Sequence, residues 1–171
     1  MTIMASFSET HMDRRDWQLM QNGAVTLYFQ TAILERDLAW LREHGYQIET
    51  IDCRALAEFQ HQMSRVLKFK EQFGYDEWTG NLNALNDAFG LDFEGGLVLC
   101  FVRYDLLKAA KPDFAQGILD IIESNSRDHL LFGRRLLALV QSDDPSIQFG
   151  PLGARTAGWN RREWLKKNRG L

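Results

Sequence analysis

Along the chain, apolar positions switch between strand-like and helical spacing, and the switches lay out the elements. "GAVTLYF" (23–29) is a short β-rich apolar run, as expected of a strand buried on both faces of a sheet. "QTAILERDLAWLREHG" (30–45) follows, with Ile33, Leu34, Leu38 and Leu41 at helical spacing and Gly45 placed as a C-terminal stop. "YQIETIDCR" (46–54) predicts a second strand, in which Tyr46, Ile48, Thr50 and Asp52 alternate with Gln47, Glu49, Ile51 and Cys53. Helical spacing returns over 55–69, with Leu56, Phe59, Met63, Val66 and Leu67 on one side. A loop rich in glycine and aromatics, "KEQFGYDEWTG", leads into "WTGNLNALNDAFG" (78–90), a short helix with Leu82, Leu85 and Phe89 as its apolar stripe. "GGLVLCFV" (95–102) predicts a third strand, 113–126 a helix with Phe114, Ile118, Ile121 and Ile122 inward, and "RRLLALVQ" (134–141) a fourth strand.

Strands alternating with helices predict a small α/β fold with a largely parallel sheet. Residues 21–142 form the expected domain. Residues 1–20 begin with a polar, unpatterned stretch and are expected to be disordered. Residues 143–171 are expected to pack on the domain as turns, a short edge strand at 147–149 and a short final helix. Trp159 and Trp164, five apart, are expected to pack at different points on the body.

The net charge of −3 hides an uneven distribution. Between Glu71 and Val102 stand six acids (Glu71, Asp76, Glu77, Asp87, Asp92 and Glu94) and no lysine or arginine. Residues 153–171 carry six bases against Glu163, leaving 14 bases and 22 acids in residues 1–152, a net of −8. Such a body repels nucleic acid and attracts a basic partner; a solvated acidic surface explains the count equally well. Cys53 and Cys100 lie in or beside strand-like runs without CxxC spacing, as buried free thiols of a reducing compartment do. With neither a signal-like start nor an apolar run of about 18 residues, the expectation is a cytoplasmic protein without membrane association.

Motifs for chemistry are scarce. "GPLGA" (150–154) is neither a dinucleotide fingerprint nor a phosphate-binding loop. His11, His44, His61 and His129 are scattered without metal-ligand spacing, and His44 suits the last turn of its helix. No nucleophile elbow is present. Asp76, Glu77, Asp87 and Asp92 could be paired acids, but nothing in the sequence fixes their separation. The expectation is therefore a protein that is not an enzyme and holds neither cofactor nor metal. The helix at 78–90 departs from habit. Asn83 and Asn86 are indifferent helix formers in an interior, and Asp87 stands near the C-terminal end, where the dipole disfavours a carboxylate by roughly 0.3–1 kcal/mol. Residues kept at a cost to stability are candidates for function.

"IDCRALAEFQHQM", "FGYDEWTGNLNALNDAF" and "LVLCFV" together resemble the barstar family of intracellular ribonuclease inhibitors. The family's signature is an aromatic, glycine-containing loop running into Asn-Leu-Asp-Ala-Leu-x-Asp on a helix, matched here by Asn81, Leu82, Asn83, Ala84, Leu85, Asn86 and Asp87. The resemblance covers 46–141. It implies an α/β fold in which the loop and helix plug the active site of a small basic ribonuclease such as barnase, with carboxylates standing in for substrate phosphate. It also implies that Asp87 is the principal acidic anchor, a binding hot spot in the family, with Tyr75, Asp76, Glu77, Trp78, Gly80, Asn81, Asn83 and Asn86 completing the partner-binding surface. Two positions depart: Asn83 replaces the family's first acid, and Asn86 stands where tryptophan is frequent.

Three functions follow as expectations. The first is an inhibitor, monomeric when free, of a basic ribonuclease or ribonuclease toxin. The second is a non-inhibitory binding module on the same fold that recognises another basic protein. The third is a small carboxylate enzyme, which lacks an accompanying nucleophile, metal set or cofactor motif.

Overall fold

A computed structural model describes residues 7–164. Its centre is a five-stranded sheet, all parallel, built from β1 (Val25–Tyr28), β2 (Tyr46–Asp52), β3 (Gly96–Val102), β4 (Arg135–Gln141) and β7 (Gly158–Trp159), in the order β2-β3-β4-β1-β7. A separate antiparallel ribbon pairs β5 (Pro151–Leu152) with β6 (Arg155–Thr156). The α/β class expected from the pattern is what the chain adopts.

Alternation along the strands sorts side chains into two cores. Leu97, Leu99, Phe101, Leu136, Ala138 and Val140 face one cluster, whereas Val98, Cys100, Leu137 and Leu139 face the other. The second face is covered by α1 (Arg15–Met20) and α2 (Thr31–Glu43) through Leu19, Ile33, Leu34, Leu38 and Leu41. The first is covered by α3 (Leu56–Val66), α4 (Phe69–Phe73), α5 (Leu82–Ala88), α6 (Tyr104–Ala110) and α7 (Pro112–Leu130).

Several elements differ from the sequence expectation. The single helix at 55–69 is two, because Lys68 adopts a left-handed conformation (φ 55°) and breaks the run before Phe69 restarts it. Helix α6 has no counterpart in the sequence expectation; it is seven residues long and is separated from α7 only by Lys111. The edge strand expected at 147–149 does not form. Ile147 is buried, Lys108 Nζ donates to the Gln148 carbonyl, and Gln116 Nε2 donates to the carbonyls of Gly150 (3.2 Å) and Pro151 (3.0 Å). A side chain from α6 thus satisfies a carbonyl within this stretch, and one from α7 satisfies the two just after it. The edge position belongs to β7, in register Thr26↔Gly158 and Leu27↔Trp159. Of the expected final helix, the described part is a 3-10 turn, Arg161–Glu163; the rest lies outside the described residues.

The first twenty residues are a further correction. From residue 7 onward they form a 3-10 turn (Glu9–His11) and α1, while residues 1–6 lie outside the described residues. The reason is a buried carboxylate: Asp16 accepts hydrogen bonds from Arg14 Nε (3.0 Å) and Nη2 (2.8 Å) and from the Tyr46 hydroxyl (2.6 Å). Both ends of the described chain then converge on Asp37, which accepts from Arg15 (2.6 and 3.1 Å), the Tyr28 hydroxyl (2.6 Å) and Asn160 Nδ2 (2.8 Å). Glu163 completes the closure by accepting from the backbone N–H groups of Phe29 (3.0 Å) and Gln30 (2.9 Å) at the start of α2.

Candidate functional site

Helix α5 is set up by its own cap. The Asn81 side-chain oxygen accepts from the backbone N–H groups of Asn83 (2.9 Å) and Ala84 (3.1 Å), satisfying two of the donors that a helix start leaves open. Its carbonyl also accepts from Trp78 Nε1 at 2.7 Å. Asn81 is therefore a structural cap on the exposed surface.

Trp78 is a correction to the expected binding surface. It is only 1 % exposed, stacks on Phe114 with ring centroids 5.6 Å apart, and packs beside Phe59 and Phe69. Its backbone N–H donates to Ser64 Oγ (2.7 Å), which donates in turn to the Gln60 carbonyl (2.7 Å). An indole held this way anchors the loop to the core and is unavailable to a partner. Gly80 sits at φ +98° and is half-buried, and a Cβ there would lie 3.0 Å from Gln60 Nε2. Glycine is required at this position for the chain to turn into α5.

The apolar side of α5 is buried as the stripe predicts, with Leu85 and Phe89 fully inside. Leu82 reaches α7 at Gly117, where an added Cβ would lie 2.7 Å from Leu82 Cδ1. The helix is thus seated against α7, with Leu85 and Phe89 continuing into the main core.

Its last carbonyls are closed by side chains that sequence reasoning missed. Gln72 Nε2 donates to Ala88 O (2.9 Å) and Leu67 O (2.6 Å), while His129 Nε2 lies 2.7 Å from Phe89 O. A carbonyl only accepts, so His129 carries its proton on Nε2. Burial pushes the His129 pKa below the ordinary histidine value despite this bond. No periodic signal marks Gln72 or His129, because each acts across a distance in sequence.

On the outward side Asn83, Asn86 and Asp87 are exposed, as are Tyr75, Asp76 and Glu77 on the loop. Asn86 Oδ1 accepts from Asn125 Nδ2 of α7 at 2.9 Å, which fixes its amide. Asp76 pairs with Lys70 (3.2 Å) and Glu77 with His61 Nδ1 (2.8 Å), both in open solvent where such pairs hold weakly. Among the described residues, neither the Asp87 carboxylate nor the Asn83 amide has a hydrogen-bond or ion-pair partner. Asp92, five residues after Asp87, pairs with Arg134 at 2.8 Å.

Other candidate chemistry does not assemble. Among the described residues no group of three or more His, Cys, Asp or Glu side chains is placed to hold a metal ion. Cys53 and Cys100 are free and buried, and burial pushes the Cys100 thiol up to about 12, far from a reactive thiolate. No described helix is long and apolar enough to cross a membrane. Among the described residues, one concave region away from this face is lined by Ile147, Phe149, Trp159 and Trp164.

No protein-family model and no curated protein matches the chain. Among solved structures, a chain of Drosophila ORC bound to AT-rich DNA and Cdc6 is similar at 17 % sequence identity and a TM-score of 0.44. That similarity covers 95 % of this chain, which spans 59 % of the other.

Proposed function

We propose that this protein is a barstar-like inhibitor that blocks the active site of a basic ribonuclease or ribonuclease toxin in the cytoplasm. The observation that carries the reading is the Asp87 carboxylate: exposed, without a partner of its own, and presented by a helix whose start and end are both fastened. A carboxylate held ready in this way gains charge-assisted hydrogen bonds when a cluster of cations closes over it. Tyr75, Asp76, Glu77 and Asn83 share the exposed loop and helix with it, and the weak pairs of Asp76 and Glu77 are easily exchanged for stronger ones. The excess of acids over 71–102 favours encounter with a basic enzyme.

A second reading, a module that binds a different basic protein without inhibiting it, is favoured by one feature. Asn83 is uncharged and Asn86 is already bonded to Asn125, so part of the face is less suited to replacing phosphate. The discriminating experiment is affinity capture from the native organism's proteins at low salt, followed by a ribonuclease assay on the captured partner with the chain added back. The inhibitor reading expects a captured ribonuclease whose activity is lost at one equivalent of added chain. A repeatedly captured partner without ribonuclease activity supports the second reading and overturns the first.

A further inference from the structure

Phe73, the last residue of α4, and Tyr75, just after it, are two large aromatics left partly outside the core. Phe73 and Tyr75 are each 41 % exposed, their ring centroids are 5.9 Å apart, and their planes differ by only 19°. Both rest on buried Phe69, at 5.4 and 5.6 Å, so the pair is backed by the core while each ring keeps part of its surface exposed. Gln72, between Glu71 and Phe73 in sequence, bonds to Ala88 O, which ties the segment carrying the two rings to the end of α5. The same stretch of chain carries the exposed acids Glu71, Asp76 and Glu77, and exposed Asp87 precedes Ala88 in α5. A cation already pairs with one of these acids, since Lys70 Nζ lies 3.2 Å from Asp76 Oδ1 with both side chains largely in solvent.

We propose that Phe73 and Tyr75 form a stacking ledge for an arginine side chain of the basic protein that docks on the α5 face. The inference rests on the binding role assigned to that face and adds the kind of side chain it selects. A guanidinium lies flat on an aromatic ring while its edge donates to a neighbouring carboxylate, whereas a lysine ammonium, more strongly hydrated, has no plane to stack. The Lys70–Asp76 pair is solvent-exposed and therefore yields its carboxylate at little cost. The ledge offers contact energy on a face where Asn83 supplies no charge.

The test uses the full chain and short capped peptides of alternating glycine and arginine, or glycine and lysine, followed by NMR at low salt. The wild-type protein should bind the arginine peptide about two- to fivefold more tightly than the lysine peptide, with the ring resonances of Phe73 and Tyr75 shifting. The double variant Phe73→Leu/Tyr75→Leu keeps apolar bulk but removes the ring faces, and should bind both peptides equally. Equal binding of the two peptides by the wild type overturns the ledge, and so does a preference that survives in the double variant. A ribonuclease captured from the native organism separates this proposal from the one beneath it. If the double variant inhibits that enzyme as tightly as the wild type, the ledge falls and the inhibitor reading stands. If no ribonuclease is captured while the arginine preference holds, the ledge stands and the inhibitor reading falls.

Discussion

At the scale of single residues, the molecule separates side chains that hold the α5 region in place from those it leaves open. Asn81, Trp78, Gln72 and His129 are all committed to internal hydrogen bonds. Asn83 and Asp87 are not. Asn83 is the second residue of its helix, where the positive end of the dipole welcomes an acid. Asn83→Asp should therefore raise stability by about 0.3–1 kcal/mol and speed association with a basic partner, read from a denaturant midpoint and a stopped-flow trace. His129 makes a pH prediction. Its folded pKa is depressed by burial, so the unfolded chain takes up a proton first as pH falls. Its contribution is complete above the unfolded value of about 6.5 and declines as pH drops below it. Midpoints measured at descending pH should fall over this range, and His129→Gln should flatten that slope.

At the scale of elements, the reading of the sequence succeeded where a run or a period was long enough to show. The strands at 25–28, 96–102 and 135–141 show as short continuous apolar runs, the strand at 46–52 as an alternation, and the helix under Ile33, Leu34, Leu38 and Leu41 as a helical stripe. Helix α6 does not show, since seven residues leave little room for a period, and the break at Lys68 depends on a backbone conformation with no sequence signature. The loop before α5 differs from the expectation at Trp78, which is buried. The resemblance implies an exposed Trp78, whereas packing against Phe59, Phe69 and Phe114 decides its burial, and those partners are distant in sequence. Asn81→Ala removes the acceptor for two helix donors and should lower stability by about 1 kcal/mol, with α5 amides losing hydrogen-exchange protection first.

At the scale of the whole molecule, the two ends of the described chain are parts of the fold. Arg15 from the start and Asn160 from the end both bond to Asp37, and Glu163 fastens the final turn to the beginning of α2. This closure was not legible in the sequence, because a lone acid in a basic tail reads as surface charge until its backbone partners are known. Glu163→Ala leaves two backbone donors without their acceptor and should cost about 1–3 kcal/mol, while leaving the face of α5 and any binding by it unchanged. A binding loss equal to that of an α5 substitution would show that the tail belongs to the docking surface.

The central claim concerns Asp87, and one comparison tests it. The wild type and Asp87→Ala are titrated against the ribonuclease captured by the wild type, at low and moderate salt, with inhibition constant, association rate and thermal midpoint recorded. The account predicts that Asp87→Ala binds at least about a hundredfold more weakly, a loss of more than 2 kcal/mol as for a hot spot. The wild type should lose affinity as salt rises, and the thermal midpoint of the variant should be unchanged or slightly higher because an unpaired acid has left a helix C-terminus. An Asp87→Ala variant that inhibits with the wild-type constant at both salt concentrations contradicts the account.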